Sequence, residues 1–582
     1  MRIFHYIGLV FILLLVSGCG GGGGGGDGGS TPPPPVKPPP PPPPFFSGVE
    51  LGSIYGSLGT IADITHDQPT LTSDVSDAEK DAFRNEAQYS GQAALEMIHA
   101  SAAYARLKKA SKGEPGNGIT LGMIDDGVDH SIAEIKANID DDSWLGVLLN
   151  AADITTIEAS IGTIEASDIA FTLTGSQKQV NVITNQPSLT PQASCIRAVQ
   201  DFILGHQFCL VALADGSYML LRPADVGNNH GTSIASIMVG IKDDETDATA
   251  EPENDIYGLS YDAKLFVTSL LLTAFDGDRP DFSDSSIYAM DDRFLTQAVN
   301  NQLAKNPVAV NMSVLEIGNG DIFFTGDDAA RTALITGIRS SFNGFITALA
   351  QASKPKAERV IFVLAAGNDG RDHPGYFAAM QSYITELEGH LLTVVAVNLN
   401  EAPNARDGLS DEELRRLLLR YGRQGEPGEI ADFSNGCGIA KKWCLAAPGR
   451  GIYRIDAPAA HPAAEAFKEG QGTSFAAPLV TSALGLLKQW WPQLGNDELV
   501  LRLLKTANRT GVYANSDLYG WGLLDLDAAT RPAGATSMQM GSTIGEQGVP
   551  SAQSFMEIAP PLAGLTAGFQ GKTIALFDEL DT

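Results

Sequence analysis

Gly470-Gln-Gly-Thr-Ser474-Phe-Ala-Ala-Pro478 runs without a break into Leu479-Val-Thr-Ser-Ala-Leu-Gly-Leu-Leu-Lys-Gln-Trp-Trp491. The second part reads as a helix, and Pro478 is tolerated because it falls in the first turn. That leaves two roles for Ser474. A serine at a helix start commonly caps it, which is a structural task. The other role is a nucleophile, its oxygen exposed at a sharp turn and developing negative charge close to the positive end of the helix.

Moving outward, two further polar motifs sit at the margins of apolar runs. Leu121-Gly-Met-Ile-Asp125-Asp126-Gly127 ends a strand-like stretch on carboxylates. A buried carboxylate costs free energy unless it is partnered, and an imidazole is a natural partner. Taken alone, Asp-Gly is also a simple turn. His230-Gly-Thr-Ser-Ile-Ala-Ser236 opens a second helical run, and histidine is the side chain best suited to exchange protons near neutral pH. Between these motifs, ITLGMI, KLFVTSLLL, VAVNMSV, RVIFVLAAG, LLTVVAV and CLAAPG alternate with longer helical segments. Such alternation predicts βαβ units and an α/β fold with a mostly parallel sheet, helices on both faces, and reactive groups beyond the carboxyl ends of the strands.

In the chain order Asp, His, Ser and with these flanking residues, the three motifs resemble those of the subtilisin-like serine proteases (subtilases, peptidase S8 type), whose order is known from subtilisin itself. Val363-Leu-Ala365-Ala-Gly367-Asn368-Asp-Gly370 is similar to the family's oxyanion loop. Smaller landmarks agree: Tyr257 to Leu265, Phe433-Ser-Asn-Gly436 and Ala446-Ala-Pro-Gly449, so the likeness spans about 83–534. The resemblance implies a subtilisin-like fold and a serine endopeptidase. Ser474 would attack the scissile carbonyl, His230 would carry the proton to the leaving amine, Asp125 would orient the imidazole, and Asn368 would donate to the oxyanion. It also implies that Asn311-Met-Ser313, with Ala365 and Gly367, binds extended protein or peptide substrate by main-chain pairing.

Departures from the family pattern mark this chain. Asp126 stands where Ser or Thr is usual, so Asp125 against Asp126 is a choice; Asp125 is taken because it directly follows Ile124. Ser236 replaces a usual glycine, and Ser313-Val-Leu-Glu316 replaces Ser-x-Gly. The span from Asp125 to His230 is unusually long, and 132–222, rich in Ile, Thr, Ala and Asp, reads as an inserted, partly β subdomain.

The ends of the chain speak to export. After Arg2, the apolar run Ile7–Val16 is too short to span a bilayer and has the form of a signal-peptide core, residues 1–18. Val16-Ser-Gly-Cys19 resembles a bacterial lipobox, which implies a lipid anchor on Cys19, and Gly20 after it favours the outer membrane. Gly20–Gly26 and the proline run 32–44 form a flexible hinge and a stiff spacer within a tether, 19–46. A helical N-terminal extension is expected over 47–110, with one helix from Ala87 to Lys109, and the catalytic domain over 111–534.

Cys437 to Gly449, followed by Tyr519-Gly-Trp-Gly522 and Asp525 to Ala529, is most similar to passenger domains of bacterial autotransporter serine proteases. The tail, 535–582, resembles the linker before their translocator barrel. Nothing after Leu524 has the alternating ten-residue strands of a membrane barrel, so the chain reads as a truncated autotransporter or as a lipoprotein lacking one.

Of 582 residues, 69 are acidic and 39 basic, a net charge of −30 that repels phosphate backbones and excludes a nucleic-acid partner. Cys19 aside, four cysteines fit two local disulfides in an oxidising compartment, Cys195–Cys209 and Cys437–Cys444; neither pair has the CxxC spacing of a metal site. The resemblance implies no cofactor for the chemistry and admits a structural calcium, for which Asp276-Gly-Asp278 is the candidate. The expected protein is therefore an exported, surface-anchored endopeptidase of a Gram-negative bacterium. An inactive subtilase-like adhesin or binding module is the alternative.

Overall fold

A computed structural model describes residues 75–128, 132–140, parts of 143–173, 209–213, 216–221, 230–242, 257–270, 292–313, 328–399, 428–455, 467–533, 537–539 and 548–550. Six apolar runs become parallel strands: β1 (Thr120–Asp125), β2 (Lys264–Ser269), β3 (Ala309–Met312), β4 (Ile361–Ala365), β5 (Leu391–Asn398) and β6 (Cys444–Ile455). A seventh, β7 (Phe467–Gln471), runs antiparallel to β6, and the order across the sheet is β7-β6-β5-β4-β3-β1-β2. Every residue of β4 and β5 is buried. That is why these runs read as continuously apolar: strands covered on both faces have no solvent side to mark by alternation.

Helices cover the two faces. The run after Ser474 forms α5, counted after α1 (Asp77–Arg84), α2 (Ala100–Lys109), α3 (His230–Val239) and α4 (Asp292–Lys305); α5 itself spans Thr473–Trp490. In β1, Leu121 points at α5, where a β-carbon on Gly485 would lie 3.0 Å from it. A β-carbon on the next residue, Gly122, would instead collide with Gln302 of α4. Successive strand residues face opposite sides, so α5 and α4 lie on opposite faces of the sheet. α5 is buried along nearly its whole length, packed on β3 to β6 and on α3. Each large apolar side chain removed from water there contributes about 1.5–3 kcal/mol.

The N-terminal extension differs from expectation. Ala87 to Lys109 is not one helix but three, Ala87–Ser90, Ala93–Met97 and α2, with His99 in the left-handed region at φ 57° between the last two. Gly91 weakens the first joint. Side chains then favour the bent path: the Tyr89 hydroxyl donates to Glu96 at 2.9 Å and accepts from the Ser101 N–H at 3.0 Å. Nor do residues 75–110 stand apart from the catalytic body. Tyr104 is fully buried among Phe83, Tyr89, Tyr257 and Tyr261 and donates to the Leu259 carbonyl at 2.8 Å. Arg106 reaches the Thr530 hydroxyl at 2.7 Å and pairs with Asp527 at 2.6 Å, so α2 ties the start of the domain to its end.

The insert carries a second sheet, with strands ordered 146–148, 218–221, 209–213 and 169–173, only the last pair parallel. Cys437 and Cys444 form a disulfide with Cα atoms 5.8 Å apart, as the local pairing predicts; closing so short a loop contributes about 2–3 kcal/mol. Cys209 begins a strand, whereas Cys195 and Cys19 lie outside the described residues, as do the signal segment, the tether and Asp276–Asp278. In the tail, Ser537–Gln539 and Gly548–Pro550 pair antiparallel.

Candidate active site

Parallel strands deliver their last residues to one edge, and the residues singled out from the sequence collect there. Asp125 is the final residue of β1 and is fully buried. Its Oδ1 accepts from the Asp126 N–H at 2.8 Å and lies 2.8 Å from Nδ1 of His230, the first residue of α3. The insert thus leaves the pair together across the 105 residues that separate them in the chain. An imidazole held at Nδ1 by a buried carboxylate is fixed in orientation, an arrangement in which Nε2 can take up a proton.

Asp126 is different. Its Oδ1 accepts from the Gly231 N–H at 2.8 Å, so this carboxylate satisfies a donor at the start of α3 and sits at the positive end of that helix. The adjacent aspartates therefore divide the work, one on the imidazole and one on the helix backbone. Gly231 must be glycine because the Gly127 carbonyl oxygen lies 1.9 Å from where a β-carbon would stand.

Ser474 falls in the first turn of α5, and its hydroxyl donates to the Ser313 carbonyl at 3.2 Å. The Ser313 hydroxyl in turn donates to the Ser474 carbonyl at 3.0 Å. His230 also reaches this turn: its ring stacks on Phe475 with centroids 6.0 Å apart and planes 28° apart. Asn368 closes the group. Its Oδ1 accepts from the Thr473 N–H at 2.8 Å and from the Thr473 hydroxyl at 3.1 Å, which fixes the amide plane beside Ser474 and leaves Nδ2 as its donor.

The residues expected along substrate lie in different settings. Asn311 is in the interior: its main chain pairs with β1 and β4 on both sides, and its amide donates to the Ser313 hydroxyl at 2.9 Å. Its side chain thus holds Ser313. Ala365 ends β4, and Gly367 follows at φ 111°, with Asn435 Nδ2 only 2.4 Å from the place of a β-carbon.

In the sequence, Phe433-Ser-Asn-Gly436 is a landmark without a task; in the fold, Asn435 pins the Asn368 loop. It donates to the Ala366 carbonyl at 3.1 Å and accepts from the Asp369 and Arg371 N–H groups at 3.2 and 2.9 Å. A polar residue between apolar strands was the available signal. Ser236, the departure from glycine, donates to the Ser233 carbonyl and accepts from the Ile455 N–H at 3.1 Å, joining α3 to the end of β6. Among the described residues, no group of three or more His, Cys, Asp or Glu side chains is arranged to hold a metal.

A carboxylate, an imidazole, a hydroxyl and an amide at one edge of a parallel α/β sheet have the composition of a serine-hydrolase site. Residues 116–522 match the subtilase family, peptidase S8, and the chain belongs to that family of serine endopeptidases. Over 177 residues, 30% of this chain, it is 32% identical to serotype-specific antigen 1 of Mannheimia haemolytica, covering 16% of that protein. Over 173 residues, also 30% of the chain, it is 34% identical to the neisserial autotransporter lipoprotein NalP of Neisseria meningitidis serogroup B, covering 14% of it. The matched segment thus spans less than a fifth of these relatives' length. Among solved structures, the epidermin leader peptide processing serine protease of Staphylococcus aureus aligns with a TM-score of 0.41 and 14% identity, over 77% of this chain and 81% of that one.

Proposed function

We propose that the chain is an exported serine endopeptidase, held at the surface of a Gram-negative cell by a lipid on Cys19, that cleaves protein or peptide substrates through Ser474. The 2.8 Å contact between buried Asp125 and His230 carries this reading. His230 takes the proton of the Ser474 hydroxyl as its oxygen attacks the scissile carbonyl, and the imidazolium is stabilised by Asp125. The tetrahedral oxyanion receives the Asn368 amide, a contact worth about 3 kcal/mol in such sites. His230 then returns the proton to the leaving amine, giving an acyl-enzyme that water hydrolyses by the same path. Family membership supports the endopeptidase; the lipobox-like Val16–Cys19, together with a relative described as an autotransporter lipoprotein, supports the anchor.

The test compares the full chain, exported from a Gram-negative host, with its Ser474→Ala and Cys19→Ala variants. Casein cleavage and phosphonate labelling are expected from wild type and absent from Ser474→Ala; a metabolic fatty-acid label is expected on wild type and absent from Cys19→Ala. Equal casein cleavage by wild type and Ser474→Ala would overturn the assignment of the nucleophile. Loss of both activities in a folded wild type would favour the binding-module reading.

A further inference from the structure

Next to the Ser474 turn, one aromatic ring meets both the imidazole and a cation. Phe475 stacks on the His230 ring and also carries the Arg454 guanidinium, whose central carbon is 5.2 Å from the Phe475 ring centroid. Arg454 comes from the end of β6, and its Nη1 donates to the Ser233 hydroxyl at 2.8 Å; Ser233 itself donates to the Ile455 carbonyl at 2.7 Å. The guanidinium is thereby fixed to α3, the helix that His230 opens, and to the face of Phe475. Gly470 of β7 makes the room: a β-carbon there would stand 2.5 Å from Arg454 Nε and 2.7 Å from Phe475 Cε2. Any side chain at 470 would displace either the ring or the cation, so these three positions share one volume.

The chemistry tells which part of the substrate meets that volume. This step rests on the endopeptidase reading above. His230 must hand its proton to the leaving amine, so the residue that departs with that amine passes on the imidazole's side of Ser474. Phe475 and Arg454 are stacked on that side. We propose that Arg454 is a specificity-determining residue that selects an acidic side chain, Asp or Glu, on the residue immediately after the cleaved bond. A guanidinium half-withdrawn from water favours a carboxylate as its partner and penalises a lysine or arginine there. In a chain of net charge −30, whose general field would repel acidic peptides, such a cation is a local reversal of sign at the cleft.

The experiment uses the full chain and three quenched-fluorescence peptides that differ only in the residue after the cleaved bond, Glu, Gln or Lys. The readout is the ratio of kcat/KM values within each protein, so that a partial loss of folded enzyme cancels. Wild type is expected to prefer Glu over Gln, and Gln over Lys, by about fivefold at each step. Raising the salt from roughly 0.05 M to about 1 M, which shortens the screening length several-fold, should compress those ratios with no change of protein. Arg454→Met should bring the three peptides together, Arg454→Lys should restore part of the order, and Arg454→Glu should invert it. Equal turnover of the Glu and Lys peptides by wild type would overturn the inference while leaving the endopeptidase standing. Wild type that cleaves none of the peptides and takes no phosphonate label would remove the endopeptidase reading, and this one with it. An unchanged order in Arg454→Glu would show that some other group makes the selection.

Discussion

Compare the two histidine–aspartate pairs at opposite ends of the domain. His230 and Asp125 meet at 2.8 Å at the carboxyl edge of the sheet; His99 and Asp525 meet at 3.0 Å where the N-terminal helices join the last helix of the domain. The ring nitrogen is Nδ1 in both. In the first pair the aspartate is wholly buried and the imidazole is 17% exposed, with a serine-bearing turn beside it. In the second the imidazole is 47% exposed, and Asp525 also accepts from the Ala528 N–H at 3.0 Å, capping the helix Leu526–Ala529. On the reading proposed here, one pair orients a base toward a nucleophile; the other staples two ends of the chain. A histidine on a carboxylate is therefore not a site until a third group and a dry environment give its other nitrogen something to do.

Replacing each histidine gives the sharpest break. His230→Ala should lower kcat by about 10⁶, the loss found for the corresponding residue in subtilisin itself, whereas His99→Ala should leave kcat/KM unchanged and lower the melting temperature. Steady-state kinetics with the same peptide decide it. The adjacent aspartates divide the first pair further. Asp125→Asn should cost about 10⁴ in kcat, while Asp126→Asn should keep kcat within about tenfold and cost about 1 kcal/mol of stability, the worth of a carboxylate at a helix start. Equal kinetic losses would show that the division of labour is wrong. Asn368→Ala should lower kcat by about 10²–10³ with KM little changed, as expected of a donor proposed to serve the oxyanion and not the bound substrate.

Two effects of pH concern histidines outside the candidate site. His390 is buried and donates Nε2–H to the Leu349 carbonyl at 2.8 Å. Burial lowers its pKa from 6.5 to about 4. The neutral form is the folded form, so stability is held above the unfolded value of 6.5 and falls as pH drops toward 4, by roughly 3 kcal/mol in all. Denaturant titrations should show this slope in wild type and a flatter one in His390→Gln. His99 runs the other way and more weakly. The hydrogen bond to Asp525 raises its pKa above 6.5, so its contribution is complete below that pH and is lost as pH rises through the folded value. Asp525→Asn should remove this alkaline loss; an unaltered profile would mean that the staple carries no charge-dependent stability.

Much of this was legible in the chain. The six apolar runs became six parallel strands, and Asp125, His230, Ser474 and Asn368, each beside such a run or opening a helix, came to one edge because parallel strands must end there. Asn311 was less legible. Its motif points to substrate, but two neighbouring strands take its main chain and Ser313 takes its amide. Asn435 was seen as part of a motif without its task, since a side chain that serves the backbone of a loop 64 to 69 residues away leaves no local pattern. The break at His99 leaves no mark in the sequence, because helical periodicity persists through 87–109 while hydrogen bonds among Tyr89, Glu96 and Ser101 bend the path.

What the amino-acid order settles alone is whatever depends on near neighbours. It fixes the apolar runs that must be buried, the turn residues that end them, and the reactive groups placed beside those ends, hence the family and the identities of the candidate site. Tertiary structure decided what depends on distance through space. It put Asp125 and not Asp126 on the imidazole, gave Ser236 the Ile455 amide, and set Arg454 behind Phe475. Hydrogen bonds and ion contacts act over a few ångströms, and only the packing of strand and helix brings residues so far apart in the chain within that range.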